Sequence, residues 1–558
     1  MQRGYWQDLN KRRIHRRAVL AVAAGSGSAA LLAACGSKGR SSTGAAAPGG
    51  KPKSGGVLTT AQNVNPTDYD PTGRPTVNRP LMCYAYDSLL SWKNGPGVAW
   101  DDVAVQPGLA DSWEAPDGLS FTFHLHKGAR FANLAPVNGR EVTSADVKWS
   151  AQYVSRAGPI KDDKKLFPAQ YADSFSGLLD IQTPDASTVV VRFKEPFAPY
   201  LNYAAAEWNP ILAHEVYDQN GNFSDLLLGS GPFQQDAAAS QKGTRYIYKR
   251  NPTYFRDGVP YLDQITELII LDDSTALAAF QTKQVDILPS WAGSSLGPDR
   301  VKRAVPDVQI LQGLQKSYVM VTNMDKPPLN DARVRQALSL AIDRDELIKT
   351  IEGGNGQPAL AGAVPGYFSL QEVKQLVAYD PEKAKQLLAA AGFPNGVELE
   401  LIEPTTKYGQ KFVTEVQLIQ SQVKKANITL KLKPVTDTED SQAKRAGTFQ
   451  LDLDPNTTKA GDPDGSLYPL FNSGSPTTNY LRVRDPKLDA LLEAQRREMD
   501  VAKRKDLVRQ ALRLINDNTY GIGMYDYPEY RAAQSYVQGY AASFAQFQDH
   551  HTKTWLAK

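Results

Sequence analysis

Two hydrophobic periods alternate along the chain. Leu119, Phe121, Phe123 and Leu125 alternate with Ser120, Thr122, His124 and His126, the period-two pattern of a half-buried strand. The run follows a reverse-turn signal, Pro116-Asp117-Gly118, and ends at a second, Lys127-Gly128. Thr143 with Asp146 three residues on forms a capping-box pair, and Val147, Ser150, Tyr153 and Val154 then recur at helical spacing. Further strands are expected at 56–60, at 188–193 (stopped by Pro196) and at 318–323. Helices are expected over 330–344, with Val334, Leu338 and Ala341 on one face, and from Asp380-Pro381 to Gly392 through Leu387, Leu388 and Ala391. Another follows the cap Asp500 through Leu507, Ala511, Leu514 and Ile515, after which the chain returns through Gly521-Ile522-Gly523-Met524-Tyr525.

The segment 107–154 is similar to the signature of family 5 extracellular solute-binding proteins, the dipeptide, oligopeptide and nickel-binding components of ABC importers. The matching pieces, in order, are Leu109-Ala110-x-Ser112-Trp113-Glu114, Asp117-Gly118, Phe121-Thr122-Phe123-His124-Leu125, Lys127-Gly128-x-Arg130-Phe131 and Thr143-x-x-Asp146-Val147. Gly229-x-Gly231-Pro232-Phe233, Arg250-Asn251-Pro252-x-Tyr254 and the 330–344 segment also resemble family motifs, and residues 84–90 resemble the family's first helix. The resemblance implies an α/β, two-lobed periplasmic-binding-protein-like fold of type II, in its large three-subdomain form, with two interlobe crossovers. The expected division is a signal peptide with lipobox at 1–34, a flexible tether at 35–56, a first part of lobe I with an inserted subdomain at 57–317, lobe II at 318–519 and a return to lobe I at 520–558.

Charge changes the picture at one end. The formal net charge is +3, but residues 1–34 hold six basic residues and one acid, about +5, which leaves about −2 for the rest. No basic surplus remains to suggest nucleic acid. Arg16-Arg17 precedes an apolar run, 18–34, that is too short and too interrupted by Gly and Ser for a comfortable membrane span. The arginine pair resembles a twin-arginine export signal, with Arg12-Arg13 as a competing pair, and Leu32-Ala33-Ala34-Cys35 resembles a bacterial lipobox. In such signals the cysteine is lipidated, so Cys35 is the expected membrane anchor on the extracytoplasmic face, and the Gly/Ser/Ala/Pro-rich 36–56 is a leash. Cys83, the other cysteine, reads as a small buried residue.

Enzyme signatures are absent: no GxSxG elbow, no HExxH and no GxxxxGK[ST] occur. His124 and His126 share a strand face but lack a third ligand, so no metal site is expected, and no cofactor or catalytic residue is assigned. The acid-rich run 451–465 begins like a calcium loop, but Thr457 stands where that loop needs Gly and Pro463 where it needs Glu. The same run resembles the family's ligand loop, in which an Asp pairs with a peptide's free ammonium ahead of a Gly-Asp-Pro-Asp turn. Gly461-Asp462-Pro463-Asp464 fits the turn, whereas Lys459 occupies the Asp position. Either Asp454 or Asp462 takes over, or the protein does not hold a free peptide N-terminus, and a non-peptide or anion-bearing ligand is expected.

The remaining candidate ligand-binding residues are Tyr69, Tyr86, Trp208, Asn209, Tyr318, Asn323 and Tyr367, joined by Lys459, Asp462 and Asp464. The expected function is capture of a peptide-like or other small polar solute in an interlobe cleft and delivery to two permease subunits driven by two ATPases. A secreted hydrolase, a surface binding protein without transport, and a nickel-chelate binder, disfavoured by scarce histidine, are the alternatives.

Overall fold

The computed structural model describes residues 50–63, 65–66, 69–71, 82–95, 98, 104–160, 163, 171–288, 296–362, 366–404, 409–456, 461–475, 479–541 and 551–558. An 11-stranded sheet runs through it in the order Ile428–Val435, Val397–Pro404, Leu451–Asn456, Gln309–Thr322, Ile522–Ala533, Ile287–Leu288, Val57–Gln62, Gln264–Ile269, Arg245–Arg250 and Phe233–Gln235, with Gln357–Pro358 paired to the side of Ile522–Ala533. The central pair, Gln309–Thr322 and Ile522–Ala533, is antiparallel from Gln309↔Ala533 to Met320↔Ile522. These two long strands are the crossovers. Each begins in one lobe and ends in the other, and their pairing breaks register between Gln312 and Gln315 and again between Ser317 and Val319. Such irregularities bend a strand pair locally.

Period-two alternation splits the first crossover between two cores. Tyr318 and Met320 point into a core with Leu338, Leu399, Phe412 and Ile419, while Val319 and Val321 point into another with Leu467, Phe471, Leu492 and Ile515. Helices cover both faces of the second-lobe sheet, as a sheet that includes parallel pairs requires. Ile522, Met524, Tyr525 and Tyr527 of the second crossover also pack into the first of these cores.

In the other lobe, Leu58, Tyr246, Tyr248 and Ile265 join a large core that continues into a four-stranded antiparallel sheet, ordered Ala110–Glu114, Ser120–Leu125, Thr188–Phe193 and Leu178–Asp185. Phe121, Phe123 and Leu125 are buried as their alternation predicts, but Leu119 lies before the strand and is exposed. The expected capping box is present: the Asp146 carboxylate accepts the Thr143 N–H at 2.8 Å and the helix runs Ser144–Ser155.

Two expected helices differ. The segment 84–90 is helical only through Ala85. Ser88 instead bridges Pro210 and Leu90–Trp92 pairs with Val105–Pro107. Ala85 is pressed by the Gly-x-Gly-Pro turn, where a Cβ on Gly229 would lie 2.2 Å from the Ala85 carbonyl oxygen and one on Gly231 2.7 Å from it. Only glycine fits that approach. The segment 330–344 is two helices, Ala332–Leu340 and Arg344–Ile351, because Asp343 caps a new start by accepting the Glu346 N–H at 3.0 Å.

Candidate functional site

The crossovers carry aromatic rings into the second lobe. Tyr525 and Tyr527, two residues apart, share a face, and Tyr318 stacks on Tyr527 with centroids 5.4 Å apart and planes at 20°. Behind them stand buried acids, of which Asp526 and Glu415 form no ion pair among the described residues. Ser317 Oγ donates to the Asp526 carboxylate across the two strands, and burial pushes that carboxyl up to about 6. Glu415, on the helix Gly409–Val423, is fully buried, and among the described residues neither of its oxygens meets a donor at normal geometry. Burial above all, with repulsion from Glu352 added, pushes its carboxyl up to about 8. Glu352 itself is paired with the Lys411 ammonium at 2.7 Å, which lies 5.0 Å from the Tyr527 ring centroid.

Away from the crossovers the lobes meet again. The turn before the helix Asp464–Phe471 carries two fully buried carboxylates. Asp462 takes both Arg504 amino groups, with Nη1 at 2.9 Å and Nη2 at 2.5 Å, and Asp464 takes Arg496 Nε at 2.7 Å and Nη2 at 2.9 Å. Each also accepts a donor from the facing lobe. Asn202 Nδ2 reaches Asp462 Oδ2 at 2.8 Å, and the Tyr203 hydroxyl reaches Asp464 Oδ2 at 2.7 Å. Burial alone would raise the Asp464 carboxyl, but the Arg496 guanidinium and its hydrogen bonds hold it below the usual range.

The sequence candidates fall into separate groups. Tyr69 and Tyr86 lie in the first lobe. Tyr69 accepts Gln235 Nε2 at 2.7 Å and meets Tyr246 edge-on, while Tyr86 is buried in the lobe core. Burial raises the Tyr69 hydroxyl to about 12. Trp208 stacks on Tyr171 at 4.9 Å and its Nε1 donates to Ser174. Asn209 donates to the Tyr203 carbonyl at 2.8 Å, so it braces the residue that touches Asp464. Asn323 is fully buried and donates to the Gly447 and Phe449 carbonyls at 3.1 and 2.9 Å, which ties down the chain entering Leu451–Asn456. Tyr367 is partly buried near Arg504 and Asp462. Asn209, Tyr367, Asp462 and Asp464 thus belong to one interlobe network, while Tyr318 sits apart at the crossovers. Asp454, the substitute ammonium acceptor, takes the buried Lys444 ammonium at 3.0 Å, which also pairs with Asp440 and Asp452. Lys459 and Cys35 lie outside the described residues.

Asn202, Tyr203, Arg496, Arg504 and Glu415 escaped the sequence reading. A signal existed for the arginines. On Pro486–Arg497 the buried positions are Leu488, Leu492, Gln495 and Arg496, and on Val501–Asp517 they are Arg504, Val508, Ala511, Leu512 and Ile515. An arginine on an apolar stripe announces a buried partner. Among the described residues no group of three or more His, Cys, Asp or Glu side chains is placed to hold a metal, and no helix is long and apolar enough to cross a membrane.

Two α/β lobes tied by a pair of crossover strands and facing each other across polar contacts define a clamshell binding protein. The chain belongs to the bacterial extracellular solute-binding proteins, family 5, whose sequence profile matches residues 104–478. It is therefore the solute-binding component of an ABC importer, a family of non-enzymatic binding proteins. It is 29% identical over 479 residues to heme-binding protein A of Haemophilus influenzae, covering 82% of this chain and 84% of that protein. Its fold matches that of DppA from Helicobacter pylori in complex with the peptide STSA, with a TM-score of 0.79, 23% identity and coverage of 91% and 99% of the two chains. It also matches AgaA of Agrobacterium tumefaciens R10 in complex with agropinic acid, with a TM-score of 0.77, 24% identity and coverage of 90% and 99%.

Proposed function

We propose that this binding protein is lipid-anchored at Cys35 after export and captures a non-peptide or anion-bearing polar solute rather than a free peptide N-terminus. Residues 57–317 and 520–558 would form one lobe and 318–519 the other. The observation that carries the ligand reading is the engagement of both substitute acids. Asp462 is held by Arg504 and Asn202, and Asp454 by Lys444. A ligand ammonium would have to displace a buried internal cation to reach either, which costs several kcal/mol. Lys459, in the family's acid position, would instead attract a carboxylate. Relatives and fold neighbours carry haem, a peptide and agropinic acid in their names, so the family leaves this choice to the residues of the site. Tyr69 and Tyr367 are the rings we assign to the cleft, while Tyr318 packs in the second-lobe core. The lipobox and the leash 36–56 support delivery at the membrane to two permease subunits and two ATPases.

The test is calorimetric titration of the full chain with free dipeptides, the same dipeptides N-acetylated, and opine acids. The reading expects the acids without a free ammonium to bind, and Lys459→Ala to weaken that binding by about tenfold. Binding confined to free dipeptides, or an affinity unchanged in Lys459→Ala, overturns it.

A further inference from the structure

We propose that Asn202 and Tyr203 latch the closed cleft onto the Gly-Asp-Pro-Asp turn, so that two neutral donors of one lobe grip two charged carboxylates of the other and set how long the lobes stay shut. The contacts span 260 and 261 residues of sequence and join parts with separate cores, since Tyr203 belongs to the first-lobe core and the helix after Asp464 to the second. The crossover strands tie the lobes covalently, but these bonds must be remade at every closure.

The chemistry suits a latch better than permanent glue. Asp462 and Asp464 have their charge balanced inside their own lobe, by Arg504 and Arg496. Opening therefore strands no buried charge. At these two carboxylates it moves an amide and a phenol to water, an exchange of small net free energy. Closed, the arrangement carries a cost as well: Asn202 is fully buried and, among the described residues, its Oδ1 has no hydrogen-bond partner. Water relieves that cost on opening, which favours release of the latch. Flanking contacts are of the same reversible kind. The Ala198 N–H donates to the Arg496 carbonyl at 2.7 Å, Ser475 Oγ donates to Asp173 at 3.3 Å, and exposed Glu195 and Arg497 pair across the seam. A ligand's apparent affinity scales with the closed fraction, so these residues would tune affinity for any solute without touching it. That consequence rests on the solute-binding reading; the contacts do not.

The test needs no ligand. Hydrogen exchange and small-angle scattering are measured on the full chain as wild type, Tyr203→Phe and Asn202→Ala. The latch predicts exchange roughly tenfold faster at 195–206 and 493–500, unchanged protection in the second-lobe strand Val397–Pro404, and a larger radius of gyration. Tyr203→Phe removes one hydroxyl and keeps the ring, so it decides the matter if Asn202→Ala folds poorly. Unchanged exchange and radius in Tyr203→Phe overturn the proposal. A uniform rise across both lobes overturns it too, because it marks a structural contact. Ligand titrations test the solute-binding reading separately, so the two can fail independently.

Discussion

Asp464 and Glu415 sit in the same lobe and are equally buried, yet the protein treats them in opposite ways. Asp464 is given a bidentate arginine, a glutamine and a tyrosine, and its carboxyl is held below the usual range. Glu415 is given tyrosine rings and a neighbouring glutamate, and its carboxyl rises to about 8. A buried acid must be neutralised by a cation or by a proton. The first solution keeps a fixed negative charge at the seam between the lobes, where donors must let go and return. The second puts a neutral, protonated group beside the crossover strands.

The contrast breaks most severely if the cation is removed. Arg496→Met leaves Asp464 charged and unpaired in a dry site and is expected to cost about 3–5 kcal/mol of stability in urea unfolding. A loss below about 1 kcal/mol would show that water reaches the carboxylate.

Glu415→Gln acts on the other solution. The folded carboxyl is raised from 4.5 to about 8, so the folded chain holds a proton through that window that the unfolded chain releases. Wild-type stability therefore falls as pH rises from about 4.5 to 8, the variant loses that slope, and above pH 8 it is expected to be the more stable by on the order of 1–3 kcal/mol. Parallel stability profiles would contradict the assignment. Asp526→Asn should behave likewise over the narrower window from 3.8 to about 6, with a gain on the order of 1 kcal/mol. Asp464 has the opposite sign: its contribution is present at neutral pH and is lost as pH falls through and below the ordinary carboxylate range. The smallest effect belongs to an exposed pair. Lys431 and Glu398 lie 2.6 Å apart on adjacent strands, and Lys431→Ala is expected to change thermal stability by less than about 0.5 kcal/mol.

Much of the fold was legible because local signals and burial agree. The Phe121-Phe123-Leu125 alternation, the Thr143 and Asp500 caps and the Thr188–Phe193 strand all appear as their patterns require. Periodicity over 330–344 predicts one helix, but the first ends at its C-cap Ala341 and Asp343 caps a second, a break that periodicity alone does not show. The site was less legible. Asp462 and Asp464 drew attention as acids in a ligand-loop motif, but their partners Arg496 and Arg504 lie 32 and 42 residues on and show only as charges on apolar stripes. Asn202 and Tyr203 carry no local pattern at all. Their role comes from closure, which brings together residues that sequence keeps 260 apart.

Native mass spectrometry of the full chain, purified without refolding and then incubated with pooled N-acetyl dipeptides, opine acids, free dipeptides and haem, tests the central claim most directly. A cleft that closes on a polar, anion-bearing solute predicts one non-covalent ligand mass, lost on denaturation and unchanged by the protein over time. A chain that stays bare after exposure to every pool, that takes up only free dipeptides, or that converts its ligand to product, would contradict the account.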